Sequence, residues 1–339
     1  MTTSPSRIGI IGAGAWGTAL AQALASDGSE VLIWAREAEL VAEINANRRN
    51  GLFLPAVQLS PHIRATGNLA DLAGAATLLA VVPAQFLAAV LGALPDVPGG
   101  SVRDLVLCAK GIEAGTGRLM SEVAAVAAPA ATIAVLSGPT FAHEVAGGLP
   151  TAVTLACSGS EAQWQRLSRL LARPMLRPYY SDDIIGAEVG GAVKNVLAIA
   201  CGVVDGLGLG QNARAALIAR GYAEMLRFGL AKGARAETLS GLCGLGDLVL
   251  TCSSTSSRNF SLGKALGEGM SAEEALSGKN SVAEGAATAP VLADLARQGA
   301  IDMPIVEAVC RLLTGEAPAA AVVADLLARP LRSEQGPTA

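Results

Sequence analysis

Hydrophobic and polar positions along the chain follow two different rhythms. In the first half, short β-type apolar runs alternate with Ala-rich helical ones. "RIGIIG", "EVLIWAR", "ATLLAVVP", "DLVLCAK", "TIAVLSGP" and "TAVTLAC" are separated by stretches such as "WGTALAQALASDG". That alternation predicts a parallel sheet with crossover helices. "RPMLRPYY" adds one more extended segment, because its prolines disfavour helix. From Asp182 onward the chain turns to long helical stretches with few strand signals, among them "GAEVGGAVKNVLAIACGVVDG", "NARAALIARGYAEMLRFGLAKG", "TLSGLCGLGDLVLTC", "NFSLGKALGEG" and "PIVEAVCRLLTG". The predicted class is α/β: a sheet domain over residues 1–181, an all-α domain over 182–328, and a flexible tail over 329–339 with too little apolar content to hold it.

Composition agrees with two ordinary cores in 339 residues. Charged residues are 16% of the chain and the formal net charge is −4, with Lys and Arg scattered, which argues against nucleic acid as a partner. Any anionic ligand must then be met by local donors. The six cysteines show no CxxC pair and no His at zinc-ligand spacing, so no metal site is expected and reduced thiols of a cytoplasm fit. The window "LADLAGAATLLAVVPAQFLAAVLGAL" is interrupted by Asp71, Pro83 and Gln85, and reads as a strand and a helix, not as membrane insertion.

Strand "RIGIIG" runs into "GAGAWGTALAQAL", with Gly12, Gly14 and Gly17 in G-x-G-x-x-G spacing. Gly12 permits the tight turn, Gly14 lets backbone approach a pyrophosphate, and Gly17 lets the helix pack on the strand. A helix N-terminus there faces the phosphates, so a Rossmann-type dinucleotide site is expected. The next strand ends at Arg36, where an acid for a ribose hydroxyl would otherwise stand; Arg suits a 2′-phosphate and favours NADPH, while Glu37 leaves NADH possible. A solvated strand end is the plainer reading of Arg36.

Hydride chemistry also moves a proton, and histidine is the usual carrier near neutral pH. The two histidines, His62 and His143, both lie outside the helical half. Attention shifts to Lys194 in "GGAVKNVLAIACG", where Gly190 and Gly191 allow close approach and Asn195 adds an amide. A desolvated lysine beside another cation has a lowered pKa and can donate to a carbonyl oxygen. A snorkelling lysine at a helix rim explains the same residues nearly as well. Lys110, at the C-terminal end of "DLVLCAK", is a second candidate with an equally plain reading as a strand-end charge. "GLGDLVLTCSSTSSRN" gathers Asp247, Thr251, Ser257, Arg258 and Asn259, a guanidinium among hydroxyls and an amide, as a phosphate dianion requires. It also reads as a solvated loop in which Asn259 caps the next helix.

"GAGAWGTALA", "CAKGIE", "SGPTFAHEVAGGLPT", "EVGGAVKNVLAIACGVVDGLGLGQNARAALIARG", "GLGDLVLTCSSTSSRN" and "VAEG" together resemble the bacterial NAD(P)-dependent glycerol-3-phosphate dehydrogenases, in order, from about Arg7 to about Leu327. The resemblance implies reversible reduction of dihydroxyacetone phosphate to sn-glycerol 3-phosphate, feeding phospholipid synthesis, by a cytoplasmic enzyme that forms a homodimer. It implies Lys194 as proton donor and acceptor, Lys110 against both cofactor and substrate, and Asp247 in the active-site network. Gly138, Thr140, Asn195, Thr251, Ser257, Arg258 and Asn259 would surround the substrate; Ala15, Trp16, Arg36, Ala142, Arg258, Val282 and Glu284 would border the cofactor. Two departures stand out: Ala15 replaces the serine common in relatives, and Glu37 replaces a second basic residue. A β-hydroxyacid or ketopantoate type reductase, which would bind a carboxylate, and a non-catalytic NADPH-binding regulator are the alternatives.

Overall fold

The structure is a computed structural model that describes residues 8–95, 103–277 and 283–330. The predicted tail from residue 331 on and Val282 lie outside the described residues. Strand β1 (Ile8–Ile11) leads to helix α1 (Ala15–Leu24), and β2 (Val31–Trp34) leads to α2 (Ala38–Asn47). Then come β3 (Ile63–Thr66), β4 (Thr77–Ala80), α3 (Leu87–Gly92), β5 (Arg103–Leu107) and α4 (Met120–Ala127). β6 (Ala131–Ser137), α5 (Ala142–Ala146), β7 (Thr151–Cys157), α6 (Ser160–Leu171) and β8 (Leu176–Ser181) complete the first half.

These strands form one sheet in the order β3-β2-β1-β4-β5-β6-β7-β8. Neighbours run parallel except β6 and β7, which pair antiparallel. The expected parallel sheet is thus interrupted once, for a reason of length. The five residues of α5 rise about 7.5 Å, less than the ~20 Å of a strand, so the chain re-enters the sheet at the end where β6 left it. β3 is also a finding, since its four residues "IRAT" show Arg64 to solvent and lie on an edge. Apolar clusters cover both faces: Ile8, Ile10, Leu20 and Ile33 belong to one, Leu78, Leu105, Leu107 and Leu91 to the other.

The second half wraps helices around α7 (Ile184–Gly206), which is buried from Gly186 to Val204. They are α8 (Gly210–Ala231), α9 (Ala236–Ser240), α10 (Asp247–Cys252), α11 (Arg258–Gly267), α12 (Ala272–Leu276), α13 (Glu284–Gln298), α14 (Pro304–Leu313) and α15 (Ala319–Leu327). A helix apolar on every side needs neighbours on every side, and α7 has them. α11 crosses it most closely. A Cβ on Gly202 would stand 2.0 Å from the Phe260 carbonyl oxygen, and one on Gly263 1.9 Å from that of Ile199, so the helices meet backbone to backbone.

The stretch read as one helix, "TLSGLCGLGDLVLTC", is three pieces. α9 ends at Ser240, a π-helical turn spans Leu242–Gly246, and α10 begins at Asp247. Glycines allow the break, for a Cβ on Gly244 would stand 1.9 Å from the Leu239 carbonyl oxygen. The break sets the start of α10 against α7.

Candidate active site

At the C-terminal end of β1, beside β4 where the strand order reverses, the glycines divide their labour. Gly12 has φ +112°, and a Cβ there would meet the Val81 carbonyl oxygen at 2.8 Å; a Cβ on Gly17 would lie 1.9 Å from the Gly12 carbonyl oxygen. Above Gly14 nothing stands within 4 Å. The two flanking glycines are consumed by the fold, and the middle one leaves room for something else. α1 starts without a side-chain cap and without an acid in its first turn, so its leading N–H groups remain for an anion. Ala15 adds no hydroxyl, and the Trp16 indole Nε1–H is buried without a partner. These residues fit a dinucleotide pyrophosphate. Arg36 follows the end of β2, 77% exposed, with its guanidinium on the Glu37 carboxylate at 2.8 Å.

Across the cavity, the helical half supplies charge. Lys194, 6% exposed on α7, donates from Nζ to Asp247 Oδ1 at 2.6 Å and to Thr251 Oγ1 at 2.9 Å. Lys110, three residues past β5, donates to the other oxygen of the same carboxylate, Asp247 Oδ2, at 2.7 Å and to the Gly138 carbonyl oxygen at 3.1 Å. Asp247 is fully buried, so one carboxylate holds two ammonium groups from the two halves of the chain. Burial pulls the Lys194 ammonium down to about 8, the Lys110 charge adds to the fall, and Asp247 opposes it. The glycines before Lys194 make this meeting possible. A Cβ on Gly190 would stand 2.4 Å from the Cys243 carbonyl oxygen in the π turn, and one on Gly191 3.3 Å from Lys110 Cγ.

Amides extend the network toward α11 and α13. Asn195 Nδ2 donates to the Lys110 carbonyl oxygen at 3.2 Å, Asn259 Nδ2 donates to Asn195 Oδ1 at 3.0 Å, and Asn259 Oδ1 accepts from the Gly285 N–H at 3.0 Å. The cap of α11 is Ser257, whose Oγ accepts from the Phe260 N–H at 3.2 Å; Asn259 lies inside the helix, contrary to the cap reading. Glu284 accepts from the Ala84 N–H at 3.2 Å, and burial raises its carboxyl pKa against the pull of that bond and of Arg258.

A cavity of about 560 Å³ joins these groups, within the range of ligand pockets. Its lining includes Ala15, Trp16, Lys110, Thr140, Ala142, Lys194, Asn195, Thr251, Ser257, Arg258, Asn259 and Glu284. Asp247 lies beneath the two lysines, and Gly138 supports Lys110 through its carbonyl. Arg36 is outside the lining. Sequence reasoning missed the apolar wall of Leu52, Phe53 and Leu54, and it set aside His143, which lines the same cavity with Phe141 stacked on it at 5.9 Å. The apolar run "GLFLPA" in a chain with few aromatics was the available signal.

Comparison with known proteins shows the family of the chain. The family model of the NAD-dependent glycerol-3-phosphate dehydrogenase N-terminus matches residues 7–163, and that of the C-terminus matches 183–324. The chain is 69% identical over 329 residues to a glycerol-3-phosphate dehydrogenase (NAD(P)+) of Erythrobacter litoralis, covering 97% of this chain and 98% of the relative. It is 71% identical over 327 residues to one of Novosphingobium aromaticivorans, covering 96% and 98%. The crystal structure of glycerol-3-phosphate dehydrogenase from Coxiella burnetii superposes with a TM-score of 0.89 at 40% identity, over 96% of this chain and 99% of that one.

Proposed function

The chain belongs to the NAD-dependent glycerol-3-phosphate dehydrogenase family, and on that premise we propose how its cavity reversibly reduces dihydroxyacetone phosphate to sn-glycerol 3-phosphate. The enzyme is an oxidoreductase working with NADPH or NADH. When bound, the reduced nicotinamide supplies the hydride for the ketone carbon. Lys194 gives the proton to the ketone oxygen. An ammonium has three N–H donors; two of those on Lys194 go to Asp247 and Thr251, and the third is left for the substrate oxygen. In the reverse direction the neutral amine, accessible because the pKa lies near 8, takes the alcohol proton.

Lys110 is arranged in the same way, with two donors committed and one for the substrate, so that it steadies negative charge on the oxygen. Asp247 sets the separation of the two cations and keeps Lys194 from falling too low to hold a proton. Ser257, Arg258 and Asn259 open α11, and a guanidinium joined to a helix N-terminus and a hydroxyl suits the phosphate group. Gly138, Thr140, Asn195 and Thr251 complete the substrate's surroundings. Ala15, Trp16, Ala142 and Glu284 border the dinucleotide, with the exposed Arg36, beyond the lining, offered to a 2′-phosphate.

Residues 1–181 form the dinucleotide-binding domain and 182–328 the domain that carries the proton donor, with Lys110, Gly138 and Thr140 reaching the substrate from the first and Glu284 the dinucleotide from the second. We place the enzyme in the cytoplasm as a homodimer, without nucleic-acid or membrane partners; the six free thiols suit a reducing compartment, and sedimentation tests the dimer. The observation that carries the mechanism is the single carboxylate shared by Lys194 and Lys110. Purified protein mixed with NADPH and dihydroxyacetone phosphate should oxidise the nicotinamide, read by its absorbance. Absence of turnover with NADPH and with NADH would refute the dehydrogenase reading, and normal turnover by Lys194→Ala would remove that lysine from its role.

A further inference from the structure

Asn50 lies just after α2, has 0% exposure and takes no part in the charged centre. Both of its amide N–H donors are used and its amide oxygen accepts. Nδ2 donates to the Ala13 carbonyl oxygen at 2.9 Å and to Thr18 Oγ1 at 2.7 Å, and Oδ1 accepts from the Phe53 N–H at 3.0 Å. The Thr18 hydroxyl donates in turn to the Ala13 carbonyl oxygen at 3.2 Å, and the Asn50 carbonyl oxygen accepts from the Leu54 N–H at 2.9 Å. A carboxamide is suited to this place because it combines two donors with an acceptor and carries no charge.

The Ala13 oxygen belongs to the peptide that links Ala13 to Gly14. In a trans peptide the C=O and the following N–H point in opposite directions, and the described chain has no cis bond. Drawing the Ala13 oxygen inward therefore turns the Gly14 N–H away from Asn50, on a residue where a Cβ would find open space. The first turn of α1 has no side-chain cap and Ala15 no hydroxyl, so affinity for an anion depends on how these backbone amides are aimed. The same side chain fixes Phe53 and so the apolar wall of the cavity.

We propose that Asn50 is a positioning residue for the dinucleotide: it sets the Ala13–Gly14 peptide for the pyrophosphate and ties that turn to the Leu52–Leu54 wall. The inference rests on the dinucleotide-binding reading and extends it to a residue with no contact of its own to the charged centre.

Binding of NADPH to the free enzyme, followed by nucleotide fluorescence, tests it apart from turnover. Asn50→Asp keeps the acceptor, loses both donors and sets a charge against the Ala13 oxygen. Its Kd for NADPH should rise about tenfold, the loss of roughly 1.4 kcal/mol of hydrogen bonding. KM for the nucleotide should rise in parallel, while kcat at saturating nucleotide, KM for dihydroxyacetone phosphate and the pH limb near 8 stay within about twofold of wild type. Thr18→Val should weaken NADPH binding by about threefold and Thr18→Ser should restore it, which decides the matter even if Asn50→Asp fails to fold. Failure of the wild-type protein to bind NADPH or NADH refutes the dinucleotide reading itself. Wild-type binding with unchanged affinity in folded Asn50→Asp, or in Thr18→Val, overturns this inference alone, as does a fall in kcat with unchanged nucleotide affinity.

Discussion

The glycine-rich turn after β1, which reaches the cavity through Ala15 and Trp16, and the charged centre of Lys194 and Lys110, which lines it from the other side, handle negative charge with different materials. The turn uses backbone N–H groups and the absence of side chains, with Gly14 left open and α1 uncapped. The centre uses two lysines, Lys194 buried and Lys110 partly buried, held to one fully buried carboxylate. Backbone donors have a fixed polarity whatever the pH. The lysine centre is poised instead, because burial brings Lys194 to about 8, where a proton can be given or taken. A scaffold that binds needs the first kind of site, and a step that moves a proton needs the second.

The contrast is broken most severely at Lys194. Lys194→Ala should lower kcat by about 10²–10⁴-fold while NADPH affinity measured by fluorescence stays near normal. The wild-type rate of ketone reduction should fall as pH rises through about 8, since the ammonium is the donor, and alcohol oxidation should rise over the same interval. Next is Asp247→Asn, which leaves the buried Lys194 and the partly buried Lys110 without their carboxylate. It should cost about 3–5 kcal/mol in denaturant unfolding and move the pH limb of Lys194 downward, because the charge that held the proton is gone.

On the backbone side, Gly17→Ala and Gly14→Ala separate fold from binding. Gly17→Ala drives a methyl group toward the Gly12 carbonyl oxygen and should destabilise the protein by about 1–3 kcal/mol, read by thermal or urea unfolding. Gly14→Ala should leave unfolding unchanged and weaken NADPH binding. The smallest effect belongs to Glu37→Ala. Releasing the exposed Arg36 from its neighbour should raise the preference for NADPH over NADH by about twofold to fivefold, measured as the ratio of kcat/KM values.

What was legible in the sequence follows the same division. The glycines could be read because their spacing is a pattern confined to a few residues of chain, although the Val81 carbonyl that Gly12 makes room for lies far from it in sequence. The sheet was legible through its apolar runs, but β3, with Arg64 turned outward, gave too weak a run. The reversal at β7 escaped because a hydrophobic pattern carries no strand direction; that depended on the shortness of α5. The charged centre was not legible from spacing at all. Lys110 and Asp247 are 137 positions apart, Lys194 and Asp247 53, and only family resemblance grouped them. Cap chemistry placed Asn259 at the start of α11, whereas Ser257, two residues earlier, takes that bond and frees the amide for Asn195.

One consequence of α7 concerns how activity arises during folding. Its 23 residues are long and apolar enough by composition to cross a membrane, and 89% of the most apolar window is buried. In an unfolded chain Lys194 is an ordinary, strongly basic lysine, and the long apolar stretch around it is open to self-association. Enclosure by the surrounding helices removes both properties together. Recovery of turnover after dilution from denaturant should therefore lag behind recovery of secondary structure and coincide with protection of the α7 amides from hydrogen exchange, making the reactivity of one side chain a clock for the closing of the second core.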